Sequence, residues 1–159
     1  MTELLELLET DARRPVSELA SILKRSEYEV EKEIAQLEKD QVILGYSTII
    51  DREKVGDDGV TAIIEVNLTP EREVGFDAIA ERIYRFEEVR TVYLMSGSFD
   101  LLVIIEGSSL KDVSNFIATR LATIDGVTGT RTHFMLKTYK KDHIILGNKE
   151  KDRRLVVTP

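Results

Sequence analysis

Tyr93-Leu94-Met95-Ser96-Gly97-Ser98-Phe99-Asp100-Leu101 joins two apolar runs through a glycine set between serines. The runs, Val89 to Met95 and Phe99 to Glu106, are rich in β-branched and aromatic residues, so they are predicted strands with Ser96-Gly97-Ser98 as the turn between them. A second glycine-containing segment lies downstream, Asp125-Gly126-Val127-Thr128-Gly129-Thr130-Arg131-Thr132. Each segment sets small polar side chains beside a β-type run. Both could serve simply as hairpin or strand-entry turns, and both could also present open backbone donors to a small ligand.

Outward from that hairpin the periodicity is regular. Ala62, Ile64, Val66 and Leu68 alternate with Thr61, Ile63, Glu65 and Asn67, which predicts a strand closed by Pro70. Phe76, Ile79, Ala80 and Ile83 stand at helical spacing, as do Val113, Phe116, Ile117, Leu121 and Ile124. Val127 to Tyr139 supplies a fourth strand. The order is βαββαβ, so residues 60–140 are predicted to form a ferredoxin-like domain with both helices on one sheet face. The other face carries Ile63, Tyr93 and Met95 with no helix left to cover it. An apolar sheet face is an association surface, and a homodimer through the sheets is expected.

Toward the N-terminus the period becomes helical. Leucines at 4, 5, 7 and 8 alternate with Glu3, Glu6 and Glu9, Arg13-Arg14-Pro15 interrupts, and Pro15 suits the first turn of a second helix striped by Leu19, Ala20, Ile22 and Leu23. Lys24-Arg25 ends that helix. Ser26-Glu27-Tyr28-Glu29 then reads as a capping box for a third helix, with Val30, Ile34 and Leu37 inward. Ile43 to Ile50 follows as two short strands about Gly45, a minimal wing. Residues 1–50 therefore read as a winged helix-turn-helix, or as a three-helix bundle without a DNA role. Residues 51–59 are charged, aperiodic and glycine-containing, a hinge between domains. Residues 141–159 hold His143-Ile144-Ile145-Leu146 and Leu155-Val156-Val157 about Gly147-Asn148, an expected edge-strand or hairpin extension. The fold class is α+β.

Composition narrows the function classes. The chain has 159 residues and no cysteine, which excludes disulfides and thiolate metal sites and points to a reducing, cytoplasmic setting. No apolar run reaches the length of a membrane span, and the N-terminus is not a signal peptide. The net charge of −7 is unusual for a nucleic-acid binder. His133 and His143 lie in different contexts with no metal-pair spacing, so neither a metal nor another cofactor is expected. No nucleophile elbow, phosphate loop or dinucleotide motif is present, and Gly56 and Gly59 open no helix.

A helix-turn-helix offers the N-terminal half of its second helix to base edges. That places Tyr28 and Lys32 toward the groove of double-stranded DNA, Ser26 at the helix start, and Lys24 and Arg25 toward phosphates. In the other domain, Asp100 follows a turn whose Gly97 and Ser98 can present free N–H groups. An acceptor carboxylate beside such donors suits a free amino acid, whose ammonium and carboxylate need opposite partners.

Leu19-Ala20, Ser26, Val30, Ile34, Leu37-Glu38, Val42-Ile43 with Gly45-Tyr46, Ser96-Gly97-Ser98-Phe99-Asp100, and Gly126-Val127 with Thr130-Arg131-Thr132 occur in an order and spacing that resembles the Lrp/AsnC family of feast/famine transcriptional regulators. The resemblance implies a DNA-binding, amino-acid-responsive regulator that dimerises and assembles further, often to octamers. It implies an effector site at Gly97, Ser98, Phe99 and Asp100, completed by Thr130, Arg131, Thr132 and the Gly126 turn of a neighbouring subunit. Arg131 would there pair with the ligand carboxylate, or alternatively with Asp100 or Asp125. The chain departs from the family at Glu33, where an arginine is usual on the recognition helix. Residues 1–50 hold six lysines and arginines against eleven acidic residues. Since phosphate neutralisation supplies much of DNA affinity, either avidity in the oligomer compensates, or DNA binding is weakened and the protein is a ligand-sensing or protein-interaction module. A few members of the superfamily are haem-precursor decarboxylases, which leaves an enzyme as a further alternative.

Overall fold

In the computed structural model, which describes residues 3–69 and 75–146, the helical and the alternating patterns fall in separate units that divide between Ile49 and Ile50. The first unit holds α1 (Glu3–Thr10), α2 (Val16–Leu23) and α3 (Glu27–Lys39). Leu4, Leu8, Leu19, Ala20 and Val30 are its buried centre, closed around by Leu7, Val16, Leu23, Ile34, Leu37 and Ile43. Pro15 stands as the N-cap of α2, one position earlier than the sequence suggests, and its carbonyl accepts from the N–H groups of Glu18 and Leu19. The helix stops at Lys24, which adopts the left-handed conformation with φ of 54°. Ser26 then caps α3. Its hydroxyl accepts from the Glu29 N–H while the Glu29 carboxylate accepts from the Ser26 N–H, the expected reciprocal box.

The two short strands expected across Ile43 to Ile50 are not formed. The N–H groups of Val42 and Ile43 both turn back to the Leu37 carbonyl and finish α3. Gly45 has no positive φ with which to reverse the chain, and the Tyr46 hydroxyl is drawn to Glu38 of α3 at 2.9 Å. The segment forms neither helix nor strand, with Leu44 86 % exposed.

The second unit opens with α4 (Arg52–Val55), a single turn inside the aperiodic stretch. Asp51 caps it, and Gly56 ends it with φ of 72°. The capping pattern was in the sequence but is too short for periodicity to reveal. β1 (Val60–Leu68), α5 (Gly75–Tyr84), β2 (Val89–Leu94), β3 (Leu101–Gly107), α6 (Leu110–Phe116), a π-helical turn over Ile117–Leu121, and β4 (Val127–Phe134) complete the βαββαβ order. The antiparallel sheet runs β2-β3-β1-β4. Ala62, Ile64, Val66, Leu101, Val103 and Ile105 face α5 and α6, where Ile79, Ile83, Val113, Phe116 and Leu121 meet them. Burial of one such aliphatic side chain is worth about 1.5–3 kcal/mol. A one-residue slip of β1 would turn all of its buried positions outward together, which fixes the register.

Strand ends differ from the sequence expectation where partners run out. β2 stops at Leu94 and β3 starts at Leu101, because Met95 N–H closes the loop on the Asp100 carbonyl at 2.8 Å. β4 ends at Phe134 rather than Tyr139, since β1 begins at Val60 and the last contact is Met135 N–H to the Thr61 carbonyl at 2.9 Å. Beyond it, β5 (Lys140–Lys141) pairs with β6 (Ile144–Ile145). This hairpin turns at Asp142-His143, while the expected Gly147-Asn148 turn lies outside the described residues. Pro70 and Leu155-Val156-Val157 lie outside the described residues.

Candidate functional site

At 100° per residue, Tyr28, Lys32, Ala35 and Lys39 fall in one narrow stripe along the outer side of α3, opposite buried Val30 and half-buried Ile34 and Leu37. Tyr28 is 73 % exposed. Acidic residues flank this stripe on both sides, and several of them have local partners. Glu29 is held by the capping box, where hydrogen bonds from the Ser26 backbone and then its hydroxyl keep the carboxyl below its ordinary range. Glu38 accepts from Tyr46, whose hydroxyl is pushed up first by burial and then by that bond to Glu38. Gln36 donates to Asp40 at 2.8 Å.

Glu33, which the sequence left without a local role, is ion-paired with Arg25. Arg25 also reaches the Glu29 carbonyl at 3.5 Å. The residue expected at phosphate is thus engaged within the protein, because its side chain leaves the α2–α3 turn alongside the flank that carries Glu29 and Glu33. Lys24, at the left-handed end of α2, and Lys32, on the stripe, are exposed. Neither makes an ion pair among the described residues.

In the second unit, Gly97 and Ser98 form the exposed tip of the β2–β3 loop, and Phe99 and Asp100 are half-buried at its base. The Asp100 N–H donates to the Val66 carbonyl at 3.0 Å, and its carboxylate Oδ2 accepts from the Leu68 N–H at 2.7 Å. This extends β1–β3 pairing past its last regular pair, Val66 with Leu101. Asp100 therefore clips the loop to the end of β1 with one carboxylate oxygen, leaving Oδ1 for another donor.

Thr130, Arg131 and Thr132 are consecutive on the edge strand β4, and successive strand residues point to opposite faces. Thr130 and Thr132 stand opposite Val66 and Ile64 on the helix-covered side and are half-buried. Arg131 stands opposite Glu65 on the bare side and pairs with it at 3.4 Å, not with Asp100 or Asp125. One chain does not bring the three side chains together.

On the bare face, two rows cross all four strands: Tyr93, Leu102, Glu65 and Arg131, then Thr91, Ile104, Ile63 and His133. Glu65 lies between Arg131 and His133, with the His133 Nε2 3.1 Å from its Oε1. Tyr93 is 54 % exposed. Met95, expected beside it, lies in the loop beyond β2. No helix covers these rows among the described residues. Nor do those residues contain a group of three histidines or carboxylates fit to hold a metal, or a helix long and apolar enough to cross a membrane.

Residues 61–145 match the Lrp/AsnC ligand binding domain. The chain belongs to the Lrp/AsnC family. It is 48 % identical to the uncharacterized HTH-type transcriptional regulator YugG of Bacillus subtilis, over 99 % of this chain and 96 % of that one. It is 35 % identical to the HTH-type transcriptional regulator LrpA of Pyrococcus abyssi, over 86 % of this chain and 94 % of that one. Among solved structures it resembles the feast or famine regulatory protein of M. tuberculosis complexed with L-methionine, with a TM-score of 0.71 at 26 % identity, covering 91 % of this chain and 95 % of that one.

Within this Lrp/AsnC chain, sequence reasoning missed four pairings in three places: Arg25 with Glu33, Glu38 with Tyr46, and Glu65 with both Arg131 and His133. Only the last had a usable signal. Glu65 is the lone charged residue in the apolar run from Ala62 to Val66, and a charge there needs a cross-strand partner.

Proposed function

We propose that this protein is an amino-acid-responsive transcriptional regulator that binds promoter DNA as a homo-oligomer. The reading is carried by the joining, in one chain, of a capped three-helix unit with an exposed Tyr28–Lys32–Ala35–Lys39 stripe to the ligand binding domain of the family. Residues 1–50 act as the DNA-binding domain, 51–59 as the connection, 60–140 as the ligand-binding and oligomerisation domain, and 141–159 as an extension. Tyr28 and Lys32 meet the groove, while Lys24, Arg25 and the Ser26 end of α3 meet phosphates.

The effector is a free amino acid. Its ammonium takes the open oxygen of Asp100, and its carboxylate takes the donors of Gly97 and Ser98 beside Phe99. Because Thr130 and Thr132 face away from Arg131, Thr130, Arg131 and Thr132 complete a site only where a second subunit supplies some of them. The M. tuberculosis relative solved with L-methionine supports this ligand class. The bare rows of Ile63, Leu102, Ile104 and Tyr93 support self-association through the sheets, to a dimer and then an octamer. Ligand binding at a shared site would stabilise whichever assembly contains it.

The test is a gel shift on the protein's own upstream region at low salt, with and without each amino acid, together with light scattering. The reading expects a shifted band that Lys32→Ala weakens, an effector that alters it, and a particle larger than a monomer. A monomer, or no shifted band, would sink it. A second reading, a family member with weakened DNA contact that senses a ligand or engages proteins, rests on the Arg25–Glu33 pair. It predicts a shift indifferent to Lys32→Ala and Arg25→Ala.

A further inference from the structure

Positive charge in this acidic chain is concentrated in one stretch of sequence. Residues 137–154 hold seven of its 22 lysines and arginines, but only three of its 29 acidic residues. The described part of that stretch is the β5–β6 hairpin with the residues leading into it. Lys140 pairs across it with Ile145, and Lys141 with Ile144. Asp142 and His143 make the turn with φ of 43° and 69°, the left-handed pair that suits the twist of a two-residue hairpin. Leu146 N–H closes the ribbon on the Tyr139 carbonyl at 3.0 Å.

Adjacent strand residues face opposite sides, so the ribbon carries one lysine on each face. Tyr139 is 72 % exposed, with the Lys137 Nζ 5.5 Å from its ring centre. Lys137, Lys140 and Lys141 form no ion pair with any described residue. In contrast, Arg25, Arg52, Arg85, Arg90, Arg120 and Arg131 are all paired with carboxylates.

We infer that the Lys140–Ile145 hairpin, with Lys137 and Tyr139, is a second phosphate-binding element for duplex DNA, outside the helix-turn-helix. A two-stranded ribbon fits a major groove. With a cation on each face it can reach phosphates of both strands, and these contacts position without reading sequence. It supplies the counterion release that α3, crowded by carboxylates, supplies poorly. The inference rests on the DNA-binding reading above, which brings the duplex.

The experiment is a salt titration of full-length protein binding to a duplex of its own upstream region and to a scrambled duplex of equal length, followed by fluorescence anisotropy. The double variant Lys140→Gln/Lys141→Gln is expected to reduce the slope of log affinity against log salt by about 2 on both duplexes. Lys140→Glu/Lys141→Glu should reduce it further, and Lys111→Gln on α6 should leave it unchanged. An unchanged slope for the hairpin variants, alongside a reduced one for Lys32→Gln, overturns the hairpin element and leaves the DNA-binding reading standing. No binding of either duplex by the unaltered protein overturns both. Variants that lose binding to phosphatidylserine vesicles or to single-stranded RNA, with the duplex slope intact, also overturn it.

Discussion

Arg25 and Glu33 form an ion pair that links the residue before the α3 cap to the second turn of that helix. Both side chains are partly exposed, so the pair itself contributes only about 0.2–1 kcal/mol to stability. Its larger effect falls on DNA, because a guanidinium shared with a carboxylate is a poorer phosphate ligand. Glu33→Gln is therefore expected to tighten duplex binding and to steepen its salt slope by about 1. Arg25→Ala should cost more affinity in the Glu33→Gln background than in the unaltered protein. Equal costs in the two backgrounds, measured by anisotropy, would show that the pair does not compete with phosphate.

The Ser26–Glu29 capping box should be visible in acid unfolding. Glu29 titrates below its ordinary value of 4.5 in the folded protein, chiefly through the Ser26 backbone bond. A carboxyl with a depressed folded pKa contributes stability that is complete above the unfolded value and is lost as pH falls through the folded one. Glu29→Gln should therefore flatten the decline of the urea midpoint below pH 4.5. Ser26→Ala should lower the midpoint at neutral pH as well, as expected for loss of a cap worth about 0.5–2 kcal/mol. A midpoint profile of Glu29→Gln that runs parallel to the unaltered protein would contradict this account.

Asp100 holds the Leu68 N–H, so removing its side chain has a cost that needs no ligand. Asp100→Ala should destabilise the second unit by about 1–3 kcal/mol, the cost of leaving a part-buried donor unpaired. Asp100→Asn keeps an oxygen acceptor and should unfold close to the unaltered protein. If the same carboxylate receives the ammonium of an amino acid, Asp100→Asn should abolish the thermal shift that the effector produces. A retained shift in the Asn variant would place the ammonium elsewhere.

Most of the architecture was legible because it follows from periodicity. Ala62, Ile64 and Val66 alternate without interruption, Val113, Phe116 and Leu121 keep helical spacing, and Ser26 with Glu29 is a local cap. What escaped was set by distance in sequence. Whether Ile43 to Ile50 pairs as strands depends on Leu37 and Glu38 competing for its donors, which no local pattern records. The separation of Arg131 from Thr130 and Thr132 is implicit in strand alternation, yet a motif read as a contiguous string hides it. Asp100 looked like an open acceptor because its partner, Leu68 N–H, lies a whole helix and strand away.

Gly126 is the position in the Asp125–Thr132 segment where glycine is required. Its φ is +92°, and a Cβ there would stand 2.6 Å from the Ile79 Cδ1 and 3.6 Å from the Thr69 carbonyl oxygen. Gly126→Ala is expected to destabilise the protein by about 1–3 kcal/mol through backbone strain. Gly97, which has open space around it and no positive φ, should accept alanine with little change. Chemical denaturation of the two variants side by side tests this, and equal losses would contradict it.

The alternation of β4 gives evolution two nearly independent dials within three codons. A substitution at Thr130 or Thr132 reaches the helix-covered side and the loop end of the sheet. A substitution at Arg131 reaches Glu65, His133 and the bare face. If, as proposed, Thr130 and Thr132 serve the effector site and the bare face joins copies, lineages could drift in what they sense while keeping the surface by which copies recognise each other, or exchange partners while keeping their sensor.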